Sequence, residues 1–235
     1  MTLRSVLRQR DVNLEVIVVD EASTDDTPAM LAALHDSRVR VIRHDTPSGV
    51  ANARNRAAAE AHGDWLAFLD DDDLWAPEKL VCQLQAAQDA GRDWAYTGAV
   101  VMNMHSQILR VQRPLPPEEI VTALPRQNAI PGGGSNVVVR RTTWKIVGPF
   151  NTRLRNTEDW EMWIRLAKHG TPGMRMQSTD CQAAPSLEFD ARHRRDRARN
   201  AADRGAASYD GGLGQAAPVV RPFVSAGRAP LGGAR

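Results

Sequence analysis

The sequence is poor in cysteine and has no long apolar run, and these absences exclude several classes of protein. Its two cysteines, Cys82 and Cys181, lie far apart and form neither a CxxC pair nor a Cys/His ligand spacing. Neither a disulfide framework nor a zinc site is therefore predicted, and a reduced, cytosolic setting fits best. No stretch approaches the roughly 18 to 20 apolar residues of a membrane-spanning helix, and no signal-peptide pattern opens the chain. Peripheral membrane association stays compatible with this pattern.

An excess of one charge is also lacking, since 30 Lys and Arg residues face 28 Asp and Glu residues for a net charge of +2. Much of the arginine lies toward the end of the chain, so the net charge identifies no partner for the rest. An arginine-rich segment could bind nucleic acid, but this one has neither interleaved aromatic residues nor a recognisable fold. We therefore predict no nucleic-acid partner.

The first hundred residues alternate between short β-branched runs and longer helical runs, which is the pattern of βαβ units. The predicted strands are Glu15–Asp20, Val39–His44, Trp65–Leu69, Trp94–Met102 and, further along, Asn136–Arg140. The predicted helices are Pro28–His35, Val50–Ala61, Pro77–Ala90 and Glu158–His169. The predicted fold class is α/β, with a mostly parallel central sheet flanked by helices.

Both ends of the chain depart from this alternation. The segment Thr2–Arg10 has the pattern of the second half of a helix, so we expect the first strand of the sheet to be missing. That strand lies centrally in nucleotide-binding α/β domains, and its loss would leave unpaired strand edges. Beyond residue 171 the apolar periodicity ends. We predict one incomplete domain over residues 1–171 and a disordered or frame-shifted tail over residues 172–235.

Four consecutive aspartates, Asp70–Asp73, directly follow the predicted strand Trp65–Leu69. Adjacent carboxylates repel one another, so a cation or a ring of hydrogen-bond donors must stabilise them. Mg2+ or Mn2+ is the obvious candidate, because it takes one or two protein carboxylates and completes its shell with phosphates and water. The alternative is a solvated acidic turn that caps the following helix.

Two further carboxylate pairs lie where ligands or helix dipoles can use them. Asp20 and Glu21 end an apolar strand, at the sheet edge where ligands bind and where a carboxylate can accept from a base N–H or a ribose hydroxyl. Glu158 and Asp159 open the last predicted helix, where the helix dipole alone would account for them.

Five segments, taken in order, resemble the family 2 glycosyltransferases of the GT-A fold over about Ser5 to His169. They are VVDEASTDDT, SGVANARNRAAAEAHGDW, FLDDDDLWAPEKL, GGGSNVVVRR and TEDWEMWIRLA. Each segment is common by itself, whereas all five in this order are highly specific. The resemblance implies a GT-A fold from which the family's first strand and its nucleotide-contacting turn are absent.

For the donor side, the resemblance implies that Asp70 and Asp72 are the carboxylates of the family's DxD motif. They would hold Mn2+ or Mg2+, with Asp72 as the more direct ligand, and Asp71 would contact the ribose or the sugar. Asp20 and Glu21 match the pair that holds the nucleoside. The family usually has aspartate at the position of Glu21, which leaves the base open; UDP is the commonest choice.

For the acceptor side, Asp159 matches the family's catalytic base and Glu158 its acidic companion. Arg54 is implied to face the nucleotide, although a helix-surface arginine fits the pattern nearly as well. Glycines in the loop beneath the sugar and acceptor allow close backbone approach. The substrate-binding residues implied in that loop are Gly133, Gly134 and Ser135.

The implied activity is inverting transfer of a sugar from a nucleotide-diphosphate donor to an acceptor hydroxyl, with a divalent metal. The expected acceptor is a glycan or a lipid-linked molecule in surface polysaccharide or glycan assembly. The expected location is cytoplasmic, with peripheral association at the inner face of the membrane. The alternative is an inactive truncated remnant or a nucleotide-binding module that keeps the motifs without turnover.

Overall fold

The computed structural model describes residues 1–103, 105–174, 186–189 and 220–226. Its helices are α1 (Thr2–Leu7), α2 (Thr27–Ala32), α3 (Val50–Glu60), α4 (Lys79–Asp89), α5 (Pro117–Ala123), α6 (Arg141–Val147) and α7 (Glu158–His169). Its strands are β1 (Leu14–Glu21), β2 (Val39–His44), β3 (Trp65–Phe68), β4 (Leu74–Trp75), β5 (Trp94–Tyr96), β6 (Ala99–Met102), β7 (Ile108–Gln112), β8 (Val137–Arg140), β9 (Ser186–Phe189) and β10 (Val220–Ala226). A 3₁₀ turn, Gly133–Asn136, leads into β8.

The central sheet has six strands in the order β2-β1-β10-β3-β8-β5. β1 and β2 pair in parallel, whereas β10 and β8 run antiparallel to the strands beside them. The strands predicted from the first hundred residues, β1, β2, β3 and β5, therefore all point in one direction. Their carboxyl ends lie at the same edge of the sheet, which is the edge where ligands bind in open α/β folds.

β10 lies between β1 and β3, in the interior of a sheet from which the sequence predicts that a central strand is missing. Residues Leu14–Asp20 of β1 pair with β10 on one side, and β1 pairs with β2 on the other. β3 is paired with β10 and with β8. The expectation of unpaired edges in the middle of the sheet is therefore wrong, because β10 supplies backbone partners to both neighbours.

Alternate residues of β1 belong to separate cores on the two faces of the sheet. Ile17 and Val19 pack into a core that contains the alanines of α3 and Trp163 of α7. Val16 and Val18 pack on the opposite face, in a core that contains buried residues of α1 and α4. Each fully buried side chain of this size contributes about 1.5–3 kcal/mol to stability. Burial on both faces fixes the register of β1 and hence the position of the carboxylates at its end.

The predicted strand Trp94–Met102 is wrong as a single element. The chain divides it into β5 in the central sheet and β6 in a second sheet with the order β4-β9-β6-β7. Gly98 lies at the crossing, where an added Cβ would be 2.7 Å from the carbonyl oxygen of Gln112. Only glycine allows this approach of two backbones, so an apolar run that looks continuous changes sheets. By contrast, the predicted helix Glu158–His169 is confirmed at both ends.

Part of the predicted tail, residues 172–235, is described by the structure. Residues 172–174 and the strands β9 and β10 are described, and the rest of that prediction lies outside the described residues.

Cys82 lies on α4 and is buried, whereas Cys181 lies outside the described residues, so the expectation that the cysteines form no disulfide framework stays a prediction. None of the helices in the described parts of the chain is long and apolar enough to cross a membrane.

Candidate active site

The aspartates after β3 form a turn that Ser135 holds in place. The backbone N–H of Asp70 donates to Ser135 Oγ at 3.0 Å, and that hydroxyl donates to Asp73 Oδ2 at 2.5 Å. The backbone N–H of Asp73 donates to the carbonyl oxygen of Asp70 at 3.1 Å and closes the turn. The indole N–H of Trp75 donates to the carbonyl oxygen of Ser135 at 2.8 Å. The protein itself thus supplies some of the donors that a run of carboxylates requires.

The four aspartates differ in exposure, and this separates their roles. Asp71 is exposed, Asp70 and Asp72 are half-buried, and Asp73 is 2% exposed. From the sequence, Asp73 is one of the four clustered aspartates with no separate role, and the buried Lys79 was not singled out. Burial lowers the pKa of Lys79 well below its ordinary value, although the charge of Asp73 acts to raise it. The fourth aspartate therefore belongs to the interior, which a run of identical residues could not reveal.

The predicted metal ligands Asp70 and Asp72 lie on the turn with their carboxylates half-buried. Among the described residues, no group of three or more His, Cys, Asp and Glu side chains is placed to hold a metal ion. Two carboxylates nonetheless match the donor set of Mg2+ or Mn2+, which are hard cations that complete their shells with phosphates and water. The residues present therefore fit a metal that arrives with a diphosphate.

Arg54 of α3 joins this turn to the start of α7. Its Nη2 donates to Asp70 Oδ1 at 2.8 Å, and its Nη1 donates to Glu158 Oε1 at 3.0 Å. Burial acts to lower the pKa of Arg54, but the charges of the surrounding carboxylates outweigh it and raise that pKa. The residue is only 5% exposed, so the alternative of a helix-surface arginine is wrong. Its predicted contact with the nucleotide stays a prediction.

The predicted base, Asp159, lies beside this ion pair. Burial raises the pKa of the Asp159 carboxyl above its ordinary value, although the charge of Arg54 and a hydrogen bond from the Trp160 N–H partly oppose it. The Trp160 N–H donates to Asp159 Oδ1 at 2.6 Å. A carboxylate with a raised pKa holds a proton more readily, which suits a group that must accept one from a hydroxyl.

The two glycines predicted to lie beneath the substrate make room for protein side chains. A Cβ on Gly133 would lie 3.1 Å from Asp159 Oδ2, and one on Gly134 would lie 2.4 Å from Arg54 Nη2. Gly133 also has φ +53°, a left-handed conformation that favours glycine. The structure thus gives both glycines a reason that involves no ligand, and their predicted substrate contacts stay predictions.

Asp20 lies at the end of β1 and is almost fully buried. Its Oδ1 accepts from the backbone N–H of Ser23 at 2.9 Å, and its Oδ2 pairs with Arg43 of β2. Burial acts to raise the pKa of Asp20, but the hydrogen bonds from Ser23 and the charge of Arg43 outweigh it and lower that pKa. Asp20 is therefore held ionised, as a carboxylate acceptor must be.

Glu21 uses its carboxylate to hold the start of α3. Oε1 lies 2.5 Å from His44 Nδ1 and accepts from the Ser48 hydroxyl at 2.9 Å. Oε2 accepts from the backbone N–H groups of Ser48 and Gly49, each at 2.6 Å. A carboxylate has about four acceptor positions, and these four contacts account for them. The structure gives Glu21 the role of holding the two residues that precede α3, and its predicted contact with the nucleoside stays a prediction.

The predicted site residues thus form two groups joined by α3. Glu21 holds the beginning of the helix, and Arg54 in its middle binds the turn after β3 and the start of α7. Residues that are 104 positions apart in the sequence, Arg54 and Glu158, are in direct contact. Arg43 and His44, which contact Asp20 and Glu21, were not singled out from the sequence. The signal that could have found them is their position at the end of the predicted strand that follows β1 in the chain and pairs with it.

Comparisons with known proteins show which family and which relatives this chain is similar to. The family model "Glycosyl transferase family 2" matches residues 1–175. The chain is 33% identical over 166 residues to an uncharacterized glycosyltransferase of Haemophilus influenzae, covering 70% of this chain and 55% of that protein. It is 29% identical over 167 residues to the Escherichia coli UDP-Glc:alpha-D-GlcNAc-diphosphoundecaprenol beta-1,3-glucosyltransferase WfgD, covering 71% of this chain and 63% of that protein.

Solved structures of S. aureus TarS share the fold. TarS 1–349 in complex with UDP superposes with a TM-score of 0.60 at 18% identity, covering 80% of this chain and 55% of that one. The complex with UDP-GlcNAc gives the same TM-score over 54% of that chain. The predicted GT-A fold is confirmed. The chain spans less than two thirds of the length of each of these proteins.

Proposed function

The chain belongs to glycosyl transferase family 2, and we propose that it is an inverting, metal-dependent glycosyltransferase. It moves a sugar from a UDP-sugar donor to a hydroxyl of a glycan or lipid-linked acceptor during assembly of a surface polysaccharide. The observation that carries this proposal is the ion-pair arrangement in which Arg54 contacts both Asp70, on the predicted donor side, and Glu158, beside the predicted base.

On the donor side, Asp70 and Asp72 hold Mn2+ or Mg2+, and Asp71 contacts the ribose or the sugar. Half-buried carboxylates on a turn fixed by Ser135 support the first role, and the exposure of Asp71 supports the second. When bound, the metal neutralises charge on the departing nucleoside diphosphate. Asp20 contributes an ionised acceptor for the nucleoside.

On the acceptor side, Asp159 is the general base. It takes the proton from the acceptor hydroxyl while that oxygen forms a bond to the anomeric carbon. The bond from that carbon to the diphosphate oxygen breaks, and the diphosphate leaves with the electron pair. Attack from the face opposite the leaving group inverts the anomeric configuration. The raised pKa of Asp159 supports this role.

The proposed acceptor class and location are inferred from the names of the relatives. The name of WfgD specifies a UDP-glucose donor and a diphosphoundecaprenol-linked acceptor, and TarS has been crystallised with UDP and with UDP-GlcNAc. A lipid-linked acceptor lies at a membrane surface, so we place the enzyme in the cytoplasm at the inner face of the membrane. The UDP-sugar and the acceptor class are inferred from this similarity.

A transfer assay on the full chain tests the proposal. Release of UDP is measured with a panel of UDP-sugars and Mn2+, against diphospholipid-linked GlcNAc as acceptor. The expected result is transfer that EDTA abolishes, with a β-linked product from an α-linked donor when the product is analysed by NMR. Retention of the donor's configuration would contradict the mechanism.

The same preparation tests the alternative of a non-catalytic module. Thermal unfolding is recorded with and without UDP plus Mn2+, since a ligand that binds only the folded protein raises its midpoint. A raised midpoint without transfer by any donor would favour the nucleotide-binding module. The absence of a cooperative transition would favour the inactive remnant.

A further inference from the structure

The guanidinium of Arg54 bonds both to the aspartate turn after β3 and to the first turn of α7. Its two terminal nitrogens reach Asp70 at 2.8 Å and Glu158 at 3.0 Å. A planar guanidinium fixes the directions of both bonds at once, which a single ammonium cannot do. The distance between the two carboxylates is thereby set by the shape of one side chain.

The surroundings of Arg54 hold it in this position. The residue is 5% exposed, and its guanidinium carbon lies 5.4 Å from the centroid of the Phe150 ring. Glu158 depends on it, because Glu158 Oε2 is buried without a hydrogen-bond partner among the described residues while Oε1 pairs with Arg54. A buried arginine that balances a buried and a half-buried carboxylate is costly to move, so its position is well determined.

Gly134 gives this side chain the space that it needs. A Cβ at Gly134 would lie 2.4 Å from Arg54 Nη2 and 3.0 Å from Arg54 Cζ. Gly134 is not one of the glycines with a positive φ, so its backbone conformation does not by itself require glycine. The nearest obstacle to a side chain at this position is the guanidinium.

We propose that Arg54 is a positioning residue that holds the donor-side turn and the base-bearing turn of α7 in register, and that Gly134 is glycine because Arg54 passes over it. This rests on the proposed function, in which Asp70 belongs to the donor site and Asp159 is the base. Arg54 does not touch the reacting atoms. It keeps Asp70 and Glu158 at a fixed separation. The donor's anomeric carbon and the neighbouring base, Asp159, are thereby held in the relative position that transfer requires.

A double-mutant cycle tests the proposal with Arg54→Met, Gly134→Ala and the two combined. Each single change is expected to lower kcat about 100-fold, because misplacement of reacting groups by about 1 Å has effects of this size. The KM for the donor should change far less than kcat. In the Arg54→Met background, Gly134→Ala should cost little more, since the guanidinium that it would strike is gone.

Matched controls and a conservative variant separate positioning from general damage. Arg56→Met removes an exposed arginine of the same helix, and Gly170→Ala adds a methyl group where no atom lies within 4 Å; both should keep the parent's kcat. Arg54→Lys should recover part of the kcat that Arg54→Met loses, because an ammonium can bind one of the two carboxylates. Equal loss from Arg54→Lys and Arg54→Met would count against the need for charge at this point.

Thermal unfolding tests the contact between Arg54 and Gly134 even if the chain transfers no sugar. In that event the proposed function fails, whereas the midpoint of thermal unfolding still reports the contact between Arg54 and Gly134. The expected result is that Gly134→Ala lowers the midpoint in the parent and much less in Arg54→Met. An equal drop in both backgrounds, or an equal loss of kcat, overturns the inference.

Discussion

Gly133 and Asp159 approach so closely that a Cβ on the glycine would lie 3.1 Å from Oδ2 of the aspartate. The carboxylate of the proposed base is therefore packed against the backbone of the loop that precedes β8. Gly133 leaves no room for a side chain beside Oδ2, and the Trp160 N–H binds the other oxygen, Oδ1, at 2.6 Å. The base is thus held by the protein before any acceptor arrives.

Asp159→Asn is expected to lower kcat by about 10²–10⁴-fold, because an amide cannot accept the proton of the acceptor hydroxyl. UDP and Mn2+ should still raise the unfolding midpoint of the variant. Glu161→Gln is the matched control, since Glu161 lies in the same helical turn and pairs with Arg165. Unchanged turnover in Asp159→Asn would remove the residue from the mechanism.

The pH dependence of kcat/KM gives a second prediction for Asp159. A general base works when it is deprotonated, so activity should fall as the pH drops through its pKa. Burial raises that pKa above the ordinary value of about 3.9, and Arg54 acts to lower it. Arg54→Met should therefore move the acid limb to higher pH, with Asp70 and Glu158 left as the facing charges. A limb that moves to lower pH would contradict the assignment.

Asp72→Ala is expected to abolish the rise in unfolding midpoint that UDP plus Mn2+ produces. The reason is that the half-buried carboxylate supplies one of the few protein ligands of the metal. Differential scanning fluorimetry with and without EDTA measures this, and Asp64→Ala, at an exposed aspartate, is the control. A full shift in Asp72→Ala would place the metal elsewhere.

Ser135→Ala is expected to destabilise the fold by about 1–3 kcal/mol, because it leaves the Asp70 N–H and Asp73 Oδ2 without their shared partner. Urea unfolding measures the loss, and the exposed Ser37→Ala is the control. The affinity for UDP plus Mn2+ should fall as well, since the turn that bears Asp70 and Asp72 loses its anchor. Unchanged stability together with lost affinity would instead favour a direct substrate contact for Ser135.

Glu21→Gln is expected to cost about 2–3 kcal/mol of folding free energy. The amide nitrogen of the glutamine would be a donor facing the backbone N–H groups of Ser48 and Gly49, which now donate to the carboxylate. The remaining hydrogen bonds would no longer be made to a charged group. Urea unfolding and UDP titration distinguish this role from nucleoside binding. A stable variant that no longer binds UDP would show that Glu21 holds the nucleoside.

The sequence predicts a helix or strand well where one repeat of apolar residues runs through the whole element. The helix Glu158–His169 was predicted at both ends because its acidic first turn and its apolar spacing agree. The sequence predicts one strand over Trp94–Met102, whereas the structure has two. The chain changes sheets at Gly98, where the backbone packs closely against the carbonyl oxygen of Gln112. A local pattern carries no information about such an approach.

The order of its motifs by itself determined the family of this protein and the residues to consider, since strand ends followed by carboxylates are visible in one dimension. Only the tertiary structure decided what those residues contact. It buried Arg54 between Asp70 and Glu158 and filled the acceptor positions of Glu21 with the start of α3. The physical reason is that hydrogen bonds and ion pairs depend on distances of about 3 Å between atoms, and folding alone sets those distances for residues far apart in the chain.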